Sequence, residues 1–333
     1  MAPSGTHHTI VALETFFCPL PEFKLPAPHT CEVKEYTRTK PSEVAERICD
    51  ADIVIITIIP LRAEVLSAEI SPRLKMIVVV ASGTDSVDLS ACQARGILVA
   101  NAPHCNATAV AEHAIASYFA ARRSVTLTNN LARRGEWPKR GSLMKTINGS
   151  DGKPPRVSRD EILGIIGYGA VGKKVEATAK ALGMKTLISG RKGAPAQDGR
   201  VDFETIIREC SAIVLSLPRS PETLNLISDE DFKAMKSYLV LINVSRGGIV
   251  DEKALVTALR EGKIAGAATD VFLQEPASPE NSLLLAADTA DLNLVTTPHV
   301  AWCAEDTNDN YNRALIDNLT SWVTTGKPKF PVV

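Results

Sequence analysis

Residues 162–189, ILGIIGYGAVGKKVEATAKALGMKTLIS, constrain this chain more than any other stretch. They read as a short apolar strand, a glycine turn, a helix ended by Gly183 and a second strand. The turn itself is Gly167-Tyr168-Gly169-Ala170-Val171-Gly172. A bare G-x-G-x-x-G spacing is weak evidence, but between a strand and a helix it is a dinucleotide-binding signature. Gly167 permits the tight turn, Gly169 lets the backbone approach a pyrophosphate, and Gly172 brings helix and strand together. Free N–H groups at the helix start, at Ala170 and Val171, then bind the anion.

The second strand runs into Ser189, Gly190, Arg191 and Lys192. An acid in that place would accept hydrogen bonds from the ribose hydroxyls and repel a 2′-phosphate. A guanidinium with an ammonium beside it inverts the preference, and the small Ser189 and Gly190 leave room for the extra group. The sequence therefore predicts NADP(H) as the preferred cofactor, with NAD(H) as a possible second.

The rest of the chain fits around this unit. Its 333 residues are enough for two domains with separate cores. Strand-like runs at 9–14, 52–59, 74–80 and 97–103 alternate with helical stretches. A second series follows at 162–166, 185–189, 212–217, 239–244, 266–272 and 292–298. Continuous apolar strands alternating with helices predict α/β domains built on doubly wound parallel sheets. Between the two series lies a long helical tract, 106–137. A basic, Gly- and Pro-rich stretch, 139–160, reads as a surface arm without regular structure and contains a glycosylation sequon at 148–150, read as a plain loop. A polar helix closes the chain, and His7 and His8 are read as part of a tail.

A net charge of -1 supplies no field for nucleic acid or an anionic membrane. No apolar run is long enough to span a bilayer. Seven cysteines without a C-x-x-C pair point to buried thiols in a reducing compartment, not to disulfides or zinc. With no secretory signal visible, the expected location is the cytoplasm.

Three further stretches, NVSRGGIVDE, TDVFLQEP and TTPHVAW, fall at strand ends of the second series, where ligands bind in open parallel sheets. Together with AVAEHA, the glycine turn and LPRSPET, in this order, they resemble the D-isomer-specific 2-hydroxyacid dehydrogenase family. TPHVAW is most similar to the glycerate dehydrogenase and hydroxypyruvate or glyoxylate reductase branch, and SGRKG to its NADPH-using reductases. The resemblance implies a flavodoxin-like substrate domain, 1–101 plus 301–333, and a Rossmann cofactor domain, 102–300, with a cleft between them.

It also implies roles. Arg246 would hold the carboxylate of a 2-oxoacid and polarise its carbonyl. His299 would donate the proton during reduction, with Glu275 hydrogen-bonded to the imidazole. Asp270, Val244 and Ser245 would meet the nicotinamide, Leu217, Pro218 and Thr223 would line the cofactor cleft, and Thr108 would reach the phosphates. Ser82 and Gly83 would offer N–H groups to the substrate carboxylate, and Trp302 would wall the pocket. The residue types suit the chemistry. Hydride addition builds charge on a ketone oxygen, which an imidazolium can quench and a guanidinium can stabilise. The expected activity is reduction of a hydroxypyruvate- or glyoxylate-like acid to the D-2-hydroxyacid, without a metal, in a homodimer joined through 106–137. Two alternatives on the same fold are a nucleotide-sensing corepressor, disfavoured by the lack of long disordered flanks, and a formate-type dehydrogenase. The latter carries glutamine where this chain has Glu275.

Overall fold

A computed structural model describes residues 6–149, 152–197 and 199–333. The chain divides into two compact units, Met1–Asn106 with Ala304–Val333, and Ala107–Cys303.

The first unit holds five parallel strands: β1 (His7–Ala12), β2 (Thr30–Glu35), β3 (Ile53–Ile56), β4 (Met76–Val79) and β5 (Leu98–Ala100). Their order is β2-β1-β3-β4-β5, the flavodoxin-like doubly wound arrangement. Central β3 and β4 are buried throughout, which explains their unbroken Ile and Val runs. The sequence reading misses β2. As an edge strand it needs no continuous apolar run, and TCEVKE alternates partly buried with exposed residues instead. The closing helix, Glu305–Thr325, also belongs to this unit.

His7 and His8 are not in a tail. They open β1, and His8 is fully buried. Its ring stacks on His29 with centroids 5.2 Å apart, Nε2 to Nδ1 3.0 Å, and meets the Trp322 ring edge-on. Burial lowers the His8 pKa first, and the neighbouring His29 lowers it further. Asp52 opposes them, while Lys75 and His7 act in the same direction as His29.

The second unit holds six parallel strands: β6 (Ile162–Ile166), β7 (Lys185–Ile188), β8 (Ala212–Leu215), β9 (Val240–Asn243), β10 (Gly266–Thr269) and β11 (Leu294–Thr296). Their order is β11-β10-β9-β8-β6-β7. Beyond β7, Val201 pairs with Ser189 as a one-residue parallel bridge, standing where the third strand of a Rossmann sheet belongs. The order in which successive strands are added reverses between β6 and β8, and that is the switch point.

Alternation along these strands sorts side chains to two faces. Leu163, Ile165, Val214 and Ile242 pack with helices Ala107–Arg122 and Ala170–Ala181. Ile166, Ile213, Leu215 and Leu241 pack with helices Phe203–Glu209, Asp229–Ala234 and Glu252–Arg260. Beneath this sheet lies a buried ion pair, Arg122 Nε to Glu161 Oε1 at 2.6 Å, joined by the Tyr118 hydroxyl at 3.1 Å. Burial, with the Glu161 charge beside it, pushes the Tyr118 phenol up to about 12.

The tract at 106–137 is not one helix. It breaks into Ala107–Arg122, Val125–Arg133 and Glu136–Arg140, where Ser124 and Gly135 turn left-handed at φ 48° and 74°. The arm at 139–160 is also more regular than expected, with a helical turn at Met144–Ile147 and another at Ser158–Asp160. Ser150 of the sequon and Asp151 lie outside the described residues. All seven cysteines are unpaired, and burial raises the thiols of Cys18 and Cys92 to about 11 and that of Cys210 to about 12. Among the described residues no helix is long and apolar enough to cross a membrane.

His8 makes the stability of the first unit depend on pH. A histidine whose pKa is lower folded than unfolded stabilises the fold fully above its ordinary pKa of about 6.5. That stability drains away as pH falls through the lowered folded value. Urea midpoints should therefore decline from about pH 6.5 downward, and His8→Phe, which keeps a ring and removes the titration, should flatten the slope.

Candidate active site

The glycine turn sits at the switch point. Gly167 has φ +96°, and a Cβ there would stand 2.3 Å from the Ser216 carbonyl oxygen, so no other residue fits the close approach of the β6 and β8 ends. The Ser216 hydroxyl donates to the Gly167 carbonyl at 2.7 Å and locks the two strand ends together. A Cβ on Gly172 would meet that same carbonyl at 2.3 Å, so the helix is pressed onto the turn. Around Gly169 a Cβ would meet only open space, and this N-cap has no side-chain partner. The turn thus leaves a bare backbone cradle at a helix start, which fits a pyrophosphate.

Around this cradle the predicted cofactor residues fall at the carboxyl ends of the strands. Thr108 is exposed in the first turn of helix Ala107–Arg122. Leu217 and Pro218 follow β8, and the Thr223 hydroxyl closes their loop by donating to the Pro218 carbonyl at 3.0 Å. Val244 and Ser245 follow β9 and are buried.

At the end of β7 the two cations part company. Arg191 is exposed; the Ser220 hydroxyl is the main cause that lowers the Glu222 carboxyl, and the Arg191 charge adds to it. Lys192 turns away and grips both Asp231 oxygens, at 2.8 and 2.7 Å, and the Leu226 carbonyl at 2.8 Å. Lys192, expected at the cofactor, here fastens the loop after β7 to the start of helix Asp229–Ala234 with its ammonium. A cation the sequence reading overlooked stands there instead, with Arg200 Nη1 3.5 Å from the Ser189 carbonyl. Its partner strand position, beside Val201, becomes visible only in the fold.

Arg246, Glu275 and His299 follow β9, β10 and β11, three neighbouring strands. The Arg246 turn is held by Asn243, whose Oδ1 accepts from the Ser245 N–H and hydroxyl and whose Nδ2 donates to the Arg246 carbonyl. A Cβ on Gly247 would lie 1.7 Å from the Phe272 carbonyl oxygen, so this turn is packed directly on the chain leading to Glu275. The Phe272 N–H donates to Glu275 Oε1 at 2.9 Å, and His299 Nδ1 lies 2.6 Å from Glu275 Oε2. Burial raises the Glu275 carboxyl, but the hydrogen bond and charge of His299, the Phe272 N–H and the charge of Arg246 outweigh it, and the net shift is downward.

His299 is placed by Asp270. The Asp270 carbonyl accepts the His299 N–H at 2.8 Å, and its carboxylate accepts from Val300 N, Ala301 N and the Thr297 hydroxyl at 2.9, 2.9 and 2.6 Å. These bonds hold His299 in the left-handed region, at φ 54°. Asp270, expected to meet the nicotinamide, is only 2% exposed, and its carboxylate orders the histidine loop. His113, in helix Ala107–Arg122, supports this network through Thr297 at 3.0 Å. Trp302 Nε1 donates to the His299 carbonyl at 2.9 Å, bracing the same loop.

In the first unit, Ser82 and Gly83 follow β4, and the Ser82 hydroxyl is bonded to the Asn106 side chain at 3.1 Å. Among the described residues no group of three or more His, Cys, Asp or Glu is arranged to hold a metal ion. A cavity of about 600 Å³ lies at the opposite, amino-terminal pole of the second sheet, beside Arg122, Arg156, Lys185 and Asn293. Volume alone therefore does not mark the site.

Fold and glycine turn define the class: an oxidoreductase that uses a nicotinamide dinucleotide. The chain belongs to the D-isomer specific 2-hydroxyacid dehydrogenase family, whose NAD-binding domain model matches residues 115–301. It is 42% identical over 310 residues to a glycerate dehydrogenase of Methylorubrum extorquens, covering 91% of each chain. It is 32% identical to a glyoxylate reductase of Thermococcus litoralis, covering 83% of this chain and 82% of the other. A solved NADPH-dependent glyoxylate/hydroxypyruvate reductase of Sinorhizobium meliloti, in complex with NADP and malonate, superposes with a TM-score of 0.75 at 26% identity. That superposition covers 98% of this chain and 97% of the other. The protein is thus a D-2-hydroxyacid dehydrogenase, interconverting 2-oxoacids and 2-hydroxyacids.

Gly167→Ala should cost about 1–3 kcal/mol, because it combines positive φ with a backbone clash. Fluorescence titration with NADPH and NADH should show both cofactors binding much more weakly to the variant.

Proposed function

We propose that the enzyme reduces a small 2-oxoacid of the hydroxypyruvate or glyoxylate type with NADPH, His299 giving the proton. The observation that carries this reading is the 2.6 Å contact of His299 Nδ1 with Glu275, within the field of Arg246, on the same carboxyl edge of the sheet as the dinucleotide turn. The 42% identity to a glycerate dehydrogenase and the likeness to reductases of glyoxylate and hydroxypyruvate support the substrate class.

Gly167, Gly169, Ala170, Val171 and Gly172 would hold the pyrophosphate, and Arg191, with Arg200 at the Ser189 carbonyl, a 2′-phosphate. Bound nicotinamide supplies or accepts the hydride. Arg246 pairs with the substrate carboxylate and stabilises charge growing on the carbonyl oxygen; a guanidinium does both without titrating. With Nδ1 committed to Glu275, the free Nε2 of His299 is the nitrogen that donates to that oxygen. Glu275, its pKa lowered on balance, remains a carboxylate and balances the imidazolium. The second unit exposes Phe119, Val125 and Trp137 along 107–137, apolar groups suited to a homodimer contact.

Initial rates across glyoxylate, hydroxypyruvate, pyruvate and bulkier 2-oxoacids, each with both cofactors, test the assignment. The highest kcat/KM should come from the first two with NADPH; a preference for bulky acids or for NADH would refute it. Arg191→Ala should raise the KM for NADPH about 10- to 100-fold, the worth of a charge-assisted pair, and that for NADH little. Lys192→Ala should move both KM values alike. His299→Ala should lower kcat by about 10²- to 10⁴-fold while leaving NADPH affinity nearly intact.

A further inference from the structure

Glu275 sits on an irregular loop, 273–282, between β10 and the helical turn Leu283–Leu285. Internally the loop is knit by its own bonds. Ser278 N donates to Asn281 Oδ1 at 2.7 Å, Asn281 Nδ2 to the Pro276 carbonyl at 3.0 Å, and Ser282 N to the Ser278 carbonyl at 3.0 Å. Both of its ends are fastened by a single side chain from another element. Glu252, the first residue of helix Glu252–Arg260, accepts the Leu273 N–H on Oε1 at 2.8 Å and the Ser282 hydroxyl on Oε2 at 3.0 Å. The Ser282 arm of the fork is buried, and the Leu273 arm lies at the surface.

The two successive N–H groups of Phe272 and Leu273 therefore go to two different carboxylates, Glu275 and Glu252. The two peptide planes meet at Phe272, so fixing the second restrains the first, and the first holds Glu275 Oε1 while Oε2 faces His299. The helix carrying Glu252 is itself anchored, since Asp251 caps it by accepting the Ala254 N–H at 3.0 Å. The turn bearing Arg246 leads directly into that helix, so Glu252 also couples the arginine segment to the Glu275 loop.

We infer that Glu252 is a positioning residue for the Glu275–His299 pair, acting through the 273–282 loop without touching substrate or cofactor. The inference rests on the reading of His299 as proton donor and Glu275 as its partner. What matters is the forked geometry of the acceptors and not the negative charge. A glutamine keeps it: the amide oxygen still accepts from Leu273, and the amide NH₂ can donate to the Ser282 oxygen.

The test measures kcat, 2-oxoacid KM, NADPH affinity and thermal midpoint for Glu252→Ala, Glu252→Gln, Ser282→Ala, Glu275→Ala and the double variant Glu252→Ala/Glu275→Ala. A displacement of order 1 Å at a reacting group costs about 100-fold, so Glu252→Ala should lose about 10- to 100-fold in kcat with NADPH affinity within about twofold. Glu252→Gln should retain most of the rate. Ser282→Ala, which removes one arm of the fork, should fall between and serves if Glu252→Ala does not fold. In the double variant the loss should scarcely exceed that of Glu275→Ala alone, because the second change acts on a residue already gone. A wild-type kcat in Glu252→Ala, an equal loss in Glu252→Gln, or full multiplicativity in the double variant would each overturn the inference while leaving the catalytic pair in place. A wild-type rate in Glu275→Ala would instead bring down the catalytic reading, and the inference with it.

Discussion

At the crossing of β6 and β8, the backbone of Gly167 lies against the Ser216 carbonyl, closer than any side chain permits. Everything on the carboxyl edge of the second sheet is referred to that contact. It sets how near the two diverging halves approach, where helix Ala170–Ala181 begins, and thus where its bare N–H groups converge. The serine hydroxyl bonded across the gap makes the approach a locked one. A parallel sheet places its loops at one edge, so fixing the switch point also fixes the frame in which the catalytic loops are read.

Those loops are over-determined by buried polar groups that do no chemistry of their own. Asn243 ties down the arginine turn, Gly247 lets that turn rest on the Phe272 carbonyl, and Asp270 draws the histidine segment into a left-handed conformation. Three side chains from three strands can act together only because short-range bonds leave each loop one arrangement. Arg246, Glu275 and His299, the proposed catalytic groups, remain partly exposed, as contact with a substrate requires, and Asn243 and Asp270, which orient them, are buried.

Charge in sequence and charge in space diverge at the end of β7. Two adjacent cations look equivalent in a sequence, yet successive side chains point in different directions. Lys192 is drawn to Asp231 and a carbonyl by three short bonds, and Arg191 stays in solvent. Arg200, nine residues further on, is brought beside Ser189 by the parallel bridge at Val201. A charge pair worth little on an open surface becomes a fixed strut when both oxygens of one buried carboxylate accept from a single ammonium.

The sequence alone determined the architecture and the family. Continuous apolar strands alternating with helices can bury their two faces only in a doubly wound parallel sheet, and the glycine spacing in strand–turn–helix context admits few other uses. Residues flanking the strands were legible because strand ends are local features. What lay beyond the sequence was whatever depends on direction or on partners distant in the chain. The polar edge strand β2, the break at Ser124, the burial of His8 under Trp322, the inward turn of Asp270, the strut at Lys192 and the hold of Glu252 on the Glu275 loop all belong there. Hydrophobic periodicity reports which residues leave water. Only tertiary structure decides which polar group satisfies which, because each buried donor must find its acceptor in three dimensions and sequence separation says nothing about that distance.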